Sequence, residues 1–256
     1  MGLLTFISAL ALAALDSDRR LTVVAGETRA YLMEGRADAP GPLYVALHPR
    51  PADGAAMRWI SGLSAVARSG AVVLYPDGLE GGWSPAGSDA AFLDALIAGH
   101  GRGRPVVLVG VSNGADMALS YAAARPGQLA ALVLVSGGSR PETPLPAEIP
   151  PTFVMLGTED RDFDAYADGA AAWRRAGGCT EVGRVQERES ETVDHACENG
   201  VMARETRFAG QGHVWPGATQ SGPLSWPEAP ETAAELLSRF IAASLVVEDP
   251  PADGAR

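Results

Sequence analysis

Val106-Val107-Leu108-Val109-Gly110-Val111-Ser112-Asn113-Gly114-Ala115-Asp116-Met117-Ala118 reads as a strand, a sharp turn and the start of a helix. A solid apolar run enters a Gly-x-Ser-x-Gly pentad and leaves it into small residues compatible with a helix. A serine at such an apex sits in a strained backbone conformation. Its flanking positions must therefore be small, or the turn collides with its own strand. The gain is an Oγ held clear of the sheet with a helix N-terminus behind it. The N–H of the following residue, Asn113, then points to where an oxyanion would develop on an attacked carbonyl. The pentad alone is a weak signal in a chain with 30 glycines, and the strand-to-helix context is what gives it force.

The 256 residues suffice for one large α/β domain, expected over 20–247. A net charge of −11 argues against nucleic acid and against stable association with anionic membranes, both of which need clustered positive charge. The chain has no lysine, which rules out Schiff-base chemistry and a Ser-Lys dyad. Residues 1–15 form an apolar run of signal-peptide length ending in small residues, although a positive n-region is lacking. The expectation is export, to the periplasm or outside the cell. Residues 248–256 read as a flexible tail.

Arg20–Val24 and Thr28–Met33 predict a hairpin turning at Ala25-Gly26-Glu27. Apolar runs at Leu43–Leu47, Ala71–Tyr75, Val106–Val111, Ala130–Val135 and Thr152–Leu156 predict strands, and Arg204–Phe208 is expected to be the last strand. Helices are expected over 59–69, over 89–97 with Ser88 or Asp89 as cap, after Ser112, over 167–175 and over 231–245. Residues 141–151 read as a proline-rich loop, and the polar stretch between Cys179 and Cys197 as irregular. Strands of five or six apolar residues alternating with helices imply a mainly parallel sheet with helices on both faces. The opening hairpin would be its antiparallel edge.

A serine hydroxyl needs a base, and the base needs an orienting carboxylate. On a strand–turn–helix nucleophile these follow in the order serine, acid, histidine. Ser112, an acid after the Leu156 strand and His213 after the Phe208 strand satisfy that order at strand C-terminal ends, where open α/β sheets collect ligands. Glu159, Asp160, Asp162 and Asp164 crowd the acid loop, and spacing does not choose among them. His48 comes too early and is expected to order its own loop. His100 sits in a polar turn and His195 in an acid-rich loop. A second oxyanion donor should come from the loop after Leu47; Pro49 has no N–H, which leaves Arg50. Trp83 and Trp215 lie on glycine-rich loops near the same rim and are candidates for an aromatic substrate wall. In an exported chain Cys179 and Cys197 would pair, closing a loop worth roughly 3 kcal/mol. A Cys-His-Cys metal site with His195 is poorly spaced, and the chemistry needs neither metal nor cofactor.

Leu47-His48, Tyr75-Pro76-Asp77-Gly78, Trp83, Gly110-x-Ser112-Asn113-Gly114, Gly157-Thr158-x-Asp160, the cysteine pair and Gly210-x-Gly212-His213-x-Trp215-Pro216-Gly217 resemble the polyhydroxybutyrate depolymerase and feruloyl esterase family of α/β-hydrolases. The similarity runs from about residue 28 to the final helix. It implies the α/β-hydrolase fold, with Ser112 as nucleophile, Asp160 as acid, His213 as base and Arg50 as the early oxyanion donor. It also implies secretion and a disulfide near the catalytic histidine. The sequence shows no linker or separate adsorption domain of the kind used on crystalline polyester, so a small or oligomeric ester is the expected substrate. One departure stands out: the family reads His-Gly-Cys where this chain has His48-Pro49-Arg50. The rival expectations are a peptidase or thioesterase on the same scaffold, and a non-catalytic module that binds polyester or polysaccharide.

Overall fold

Ten strands pair into one sheet, in the spatial order 19–24, 27–34, 72–76, 43–47, 106–111, 131–135, 152–157, 202–208, 190–196 and 180–186. The structure is a computed structural model and describes residues 19–138, 148–218, 222 and 224–245. The expected leader, most of the proline-rich loop and the tail lie outside the described residues. The strands are β1 (Arg19–Val24), β2 (Glu27–Glu34), β3 (Leu43–Leu47), β4 (Val72–Pro76), β5 (Val106–Val111), β6 (Ala131–Val135), β7 (Thr152–Gly157), β8 (Thr180–Gln186), β9 (Ser190–Ala196) and β10 (Met202–Phe208). The stretch from β4 to β10 is parallel. The β1–β2 hairpin is antiparallel and joins β4 antiparallel, as the sequence implied.

The central strands are buried on both faces, which is why they read as unbroken apolar runs. Alternate residues serve opposite layers. Leu108, Leu134 and Leu156 pack with α3 (Asp89–His100), α4 (Asn113–Ala124) and α5 (Phe163–Ala176). Val109, Val133 and Phe153 pack with Met57 of α1 (Gly54–Ser61) and with Leu237, Phe240 and Ile241 of α6 (Ala233–Ser244). Helix α6 begins with a capping box, in which Glu235 N donates to Thr232 Oγ1 and Thr232 N to the Glu235 carboxylate.

Four expectations need correction or refinement. The helix expected over 59–69 is two: α1 starts earlier, capped by Asp53, and ends at Gly62 with φ 69°, after which α2 (Ser64–Arg68) begins. Ser88 is the N-cap residue of α3, as one of the two expected candidates, but its side chain makes no capping hydrogen bond. Ser88 Oγ donates to Glu27, and Asp89 is held by Arg29 and Ser84 N. Helix α5 begins at Phe163, a turn before the expected start. The segment between the cysteines is not irregular; it is the antiparallel pair β8–β9 added to the edge of β10. Strand β8 is exposed along nearly its whole length, so it lacks the apolar pattern by which a strand is recognised.

Candidate active site

Ser112 joins β5 to α4 at φ 54°, ψ −123°, a conformation that costs a non-glycine residue on the order of 1–3 kcal/mol. The turn is held on all sides. Ser112 N donates to Val135 O at 2.9 Å, and its own carbonyl accepts from Ala115 N and Asp116 N. The pentad glycines are there because backbone comes close. A Cβ on Gly110 would lie 2.3 Å from Gly114 O, and one on Gly114 would lie 2.4 Å from Leu47 O and 2.6 Å from His48 O. Ser112 is half-buried. No hydrogen bond to its hydroxyl is present among the described residues.

Two loops on neighbouring parallel strands bring Asp160 and His213 together. Strands β7 and β10 pair in register, Gly157 opposite Phe208, so the turns that leave them run side by side. They are stitched by Thr158 N donating to Phe208 O, Glu159 N to Gln211 O and Gly210 N to Thr158 Oγ1. A Cβ on Gly157 would sit 2.1 Å from Gly212 O, so this close approach requires glycine. Asp160, with its side chain 1% exposed, places Oδ2 2.6 Å from His213 Nδ1. Its other oxygen accepts from Asp162 N at 3.1 Å. Of the four acids in this loop, Asp160 is hydrogen-bonded to His213; Asp162 is the N-cap residue of α5, and Asp164 lies in its first turn.

The turn after β6 links this pair to the serine. Ser136 Oγ donates to Val214 O at 3.1 Å, next to His213, and a Cβ on Gly137 would lie 2.6 Å from Ser112 O. Gly138 N donates to Asp116 Oδ1 at 2.9 Å and fixes the turn to α4. No hydrogen bond joins Ser112 Oγ to His213 among the described residues; such contacts commonly close only in the substrate complex. The role of Ser136 and Gly137 was not read from the sequence, where the only signal was a Ser-Gly-Gly run directly after an apolar strand.

The loop after β3 lies on the other side of the serine. Among the described residues the N–H groups of Asn113 and Arg50 have no hydrogen-bond acceptor. His48 is fully buried and orders this loop. Its Nδ1 lies 2.7 Å from Pro49 O, and Nε2 accepts from Gly78 N at 2.9 Å. That pattern sets a neutral ring with its proton on Nδ1, and burial lowers its pKa, in keeping with the neutral form. The Arg50 side chain is exposed and its stem runs along Gly82, where a Cβ would come 2.8 Å from Cδ. It borders a cavity of about 460 Å³ that also touches Glu27, Glu80 and Ser84.

The two tryptophans do not form an open wall. Trp215 is fully buried in the layer beneath α6, and Trp83 is 4% exposed. Trp83 Nε1 donates to His48 O at 2.9 Å, and the two rings lie 4.9 Å apart. The remaining histidines serve other ends. His100 is half-buried, 3.0 Å from Tyr31 Oη, and His195 lies within β9. The disulfide Cys179–Cys197 is formed, but not beside His213. It ties the start of β8 to the end of β9, level with the N-terminal end of β10, while His213 follows the other end. Among the described residues no three His, Cys, Asp or Glu side chains group as a metal site, and no helix is long and apolar enough to cross a membrane.

Comparison with known proteins places this geometry. No family model matches the chain. A protein of Nocardia uniformis subsp. tsuyamanensis named "Putative esterase NocK" is 30% identical over 255 residues, covering 78% of this chain and 74% of its own. Among solved structures, acetyl xylan esterase from Aspergillus awamori superposes with a TM-score of 0.60 at 17% identity, over 76% of this chain and 93% of that one. A bacterial membrane phospholipase A gives 0.60 at 16% identity over 96% and 95%. Esterase PE8 gives 0.54 at 20% identity over 83% and 97%. At these identities the structures establish the fold, that of the α/β-hydrolases. The relative from Nocardia goes further, and the chain belongs to the esterase family that includes NocK.

Proposed function

We propose that the protein hydrolyses carboxylic esters through an acyl-enzyme formed on Ser112. His213 Nε2 takes the Ser112 proton as Oγ bonds to the ester carbonyl carbon. The carbonyl electrons move onto oxygen, where the N–H groups of Asn113 and Arg50 receive them. Collapse expels the alkoxide, which leaves with the proton carried by His213. Water, deprotonated by the same nitrogen, then attacks the acyl carbon, and collapse of that intermediate returns the proton to Ser112 Oγ as the acid leaves. Asp160 holds the ring in the tautomer with hydrogen on Nδ1 and stabilises the imidazolium that forms.

The observation that carries this proposal is the Asp160–His213 bond at 2.6 Å, on loops adjoining the turn that packs against a strained serine. Ser112→Ala should abolish turnover of p-nitrophenyl esters while leaving the fold intact; activity retained in that variant would remove the proposal.

The likeness to polyhydroxybutyrate depolymerases and feruloyl esterases favours hydroxyalkanoate or hydroxycinnamate esters. Pro49 and Arg50 stand beside the proposed oxyanion site where this family has two small residues, which favours a narrow acyl group or one that carries an anion. The disulfide fits an exported protein, since such bonds persist in oxidising compartments.

A further inference from the structure

We propose that the side chains of Asn113, Trp83 and His48 are positioning residues that hold the two oxyanion N–H donors at one fixed separation before substrate arrives. This rests on the ester hydrolase proposed above and concerns residues to which that mechanism gives no side-chain role. The donors come from different parts of the chain: Asn113 N opens α4, and Arg50 N lies in the loop after β3. Nothing covalent and no strand ladder fixes one against the other at the rim, since β3 ends at Leu47 opposite Gly110.

A bridge of side chains does so instead. The Asn113 amide clamps the backbone of Trp83 from both sides: Trp83 N donates to Oδ1 at 2.7 Å, and Nδ2 donates to Trp83 O at 3.2 Å. The Trp83 indole then reaches across to His48 O at 2.9 Å, one peptide from Pro49 and two from Arg50. The His48 ring closes the circuit by accepting from Gly78 N, at the start of the segment that carries Trp83. The segment is anchored independently, because Ser84 N donates to Asp89 Oδ2 at 2.8 Å and Asp89 is itself paired with the buried Arg29. The residue after the nucleophile therefore offers its N–H to the substrate and its side chain to the loop that carries the other donor. Hydrogen-bond donors aimed at developing charge are effective only if they need no reorganisation during reaction.

The test is Asn113→Ala and Trp83→Phe in the full chain. The first keeps the N–H and removes the clamp; the second keeps the ring on His48 and removes its donor. A fluorophosphonate titration counts competent serines, so that kcat is expressed per labelled site. The Asn113→Ala variant is expected to lose about 10- to 100-fold in kcat on p-nitrophenyl acetate with KM little changed. Inhibition by phenylboronic acid, a tetrahedral adduct mimic, should weaken by a similar factor. Trp83→Phe should move the same readouts in the same direction. Unchanged kcat per labelled site overturns the proposal, including the case where only the number of competent sites falls, which is what a merely structural role produces. Should Trp83→Phe fail to fold, Asn113→Ala decides alone, since it removes only a half-buried amide. Failure of the wild-type protein to label at Ser112 is a separate result, and it would count against the ester hydrolase itself.

Discussion

Asp160 Oδ2 and His213 Nδ1 lie 2.6 Å apart, with the carboxylate buried and the ring 31% exposed. The acid thus commits one ring nitrogen and leaves the other without a hydrogen-bond partner among the described residues. Asp160→Asn keeps the shape but replaces an acceptor with an amide that favours the wrong tautomer. It should cost on the order of a thousand- to ten-thousand-fold in kcat with KM little affected. Steady-state kinetics with a p-nitrophenyl ester check this, and a loss below tenfold would show that Asp160 does not orient the base.

The pentad glycines make a sharper structural prediction. A methyl at Gly114 would meet two carbonyl oxygens of β3 and its following loop, backbone atoms that cannot move aside. Gly114→Ala should therefore destabilise the fold by roughly 3 kcal/mol or more, and thermal unfolding should show it. Gly103→Ala, in open space though at φ 78°, is the comparison and should cost about 1 kcal/mol.

The disulfide should matter for stability and not for catalysis. Its cysteines are 18 apart in sequence, which in the chain-entropy model corresponds to roughly 3 kcal/mol. It stands at the end of β10 away from His213. The double variant Cys179→Ser/Cys197→Ser should melt several degrees lower while keeping kcat near the wild-type value at 20–25 °C, about ambient temperature. A large drop in kcat in the folded variant would mean that the edge hairpin positions the base.

Three histidines give stability a pH dependence of known sign. Burial lowers the pKa of His48, and also those of His100 and His195, where nearby arginines add to the effect. The unfolded chain takes up these protons near the ordinary value of 6.5, and the folded protein only at lower pH. Unfolding free energy is therefore at full value above pH 6.5 and falls as pH drops toward the folded values. Denaturant titrations on either side of pH 6.5 should show the loss. His48→Gln should flatten the slope, and stability that rises on acidification would contradict this assignment.

The sequence displayed the parts of the fold that are buried on both faces, because an unbroken apolar run is itself the signature of such a strand. It did not display β8, whose residues face solvent at the sheet edge, or β9, whose half-buried residues lie between β8 and β10 and whose pairing is decided by those neighbours. Ser112 and His213 were legible as positions, since each follows an expected strand in the order that the chemistry requires. The choice of Asp160 from four acids needed either the family resemblance or the observed contact with His213. Trp83 and Trp215 were misjudged for a common reason: a glycine-rich loop looks exposed in sequence, yet glycine also lets backbone close over a large ring. The Asn113 clamp was invisible because its partner is backbone thirty residues away, and a sequence carries no mark of which main-chain groups a side chain will meet.

The most direct measurement is peptide mapping of the protein after reaction with a fluorophosphonate. The account predicts a single adduct, on Ser112, that disappears in Ser112→Ala and forms far more slowly in a folded His213→Ala variant. Absence of the adduct from the native protein, its appearance on another residue, or unaltered labelling without His213 would contradict it.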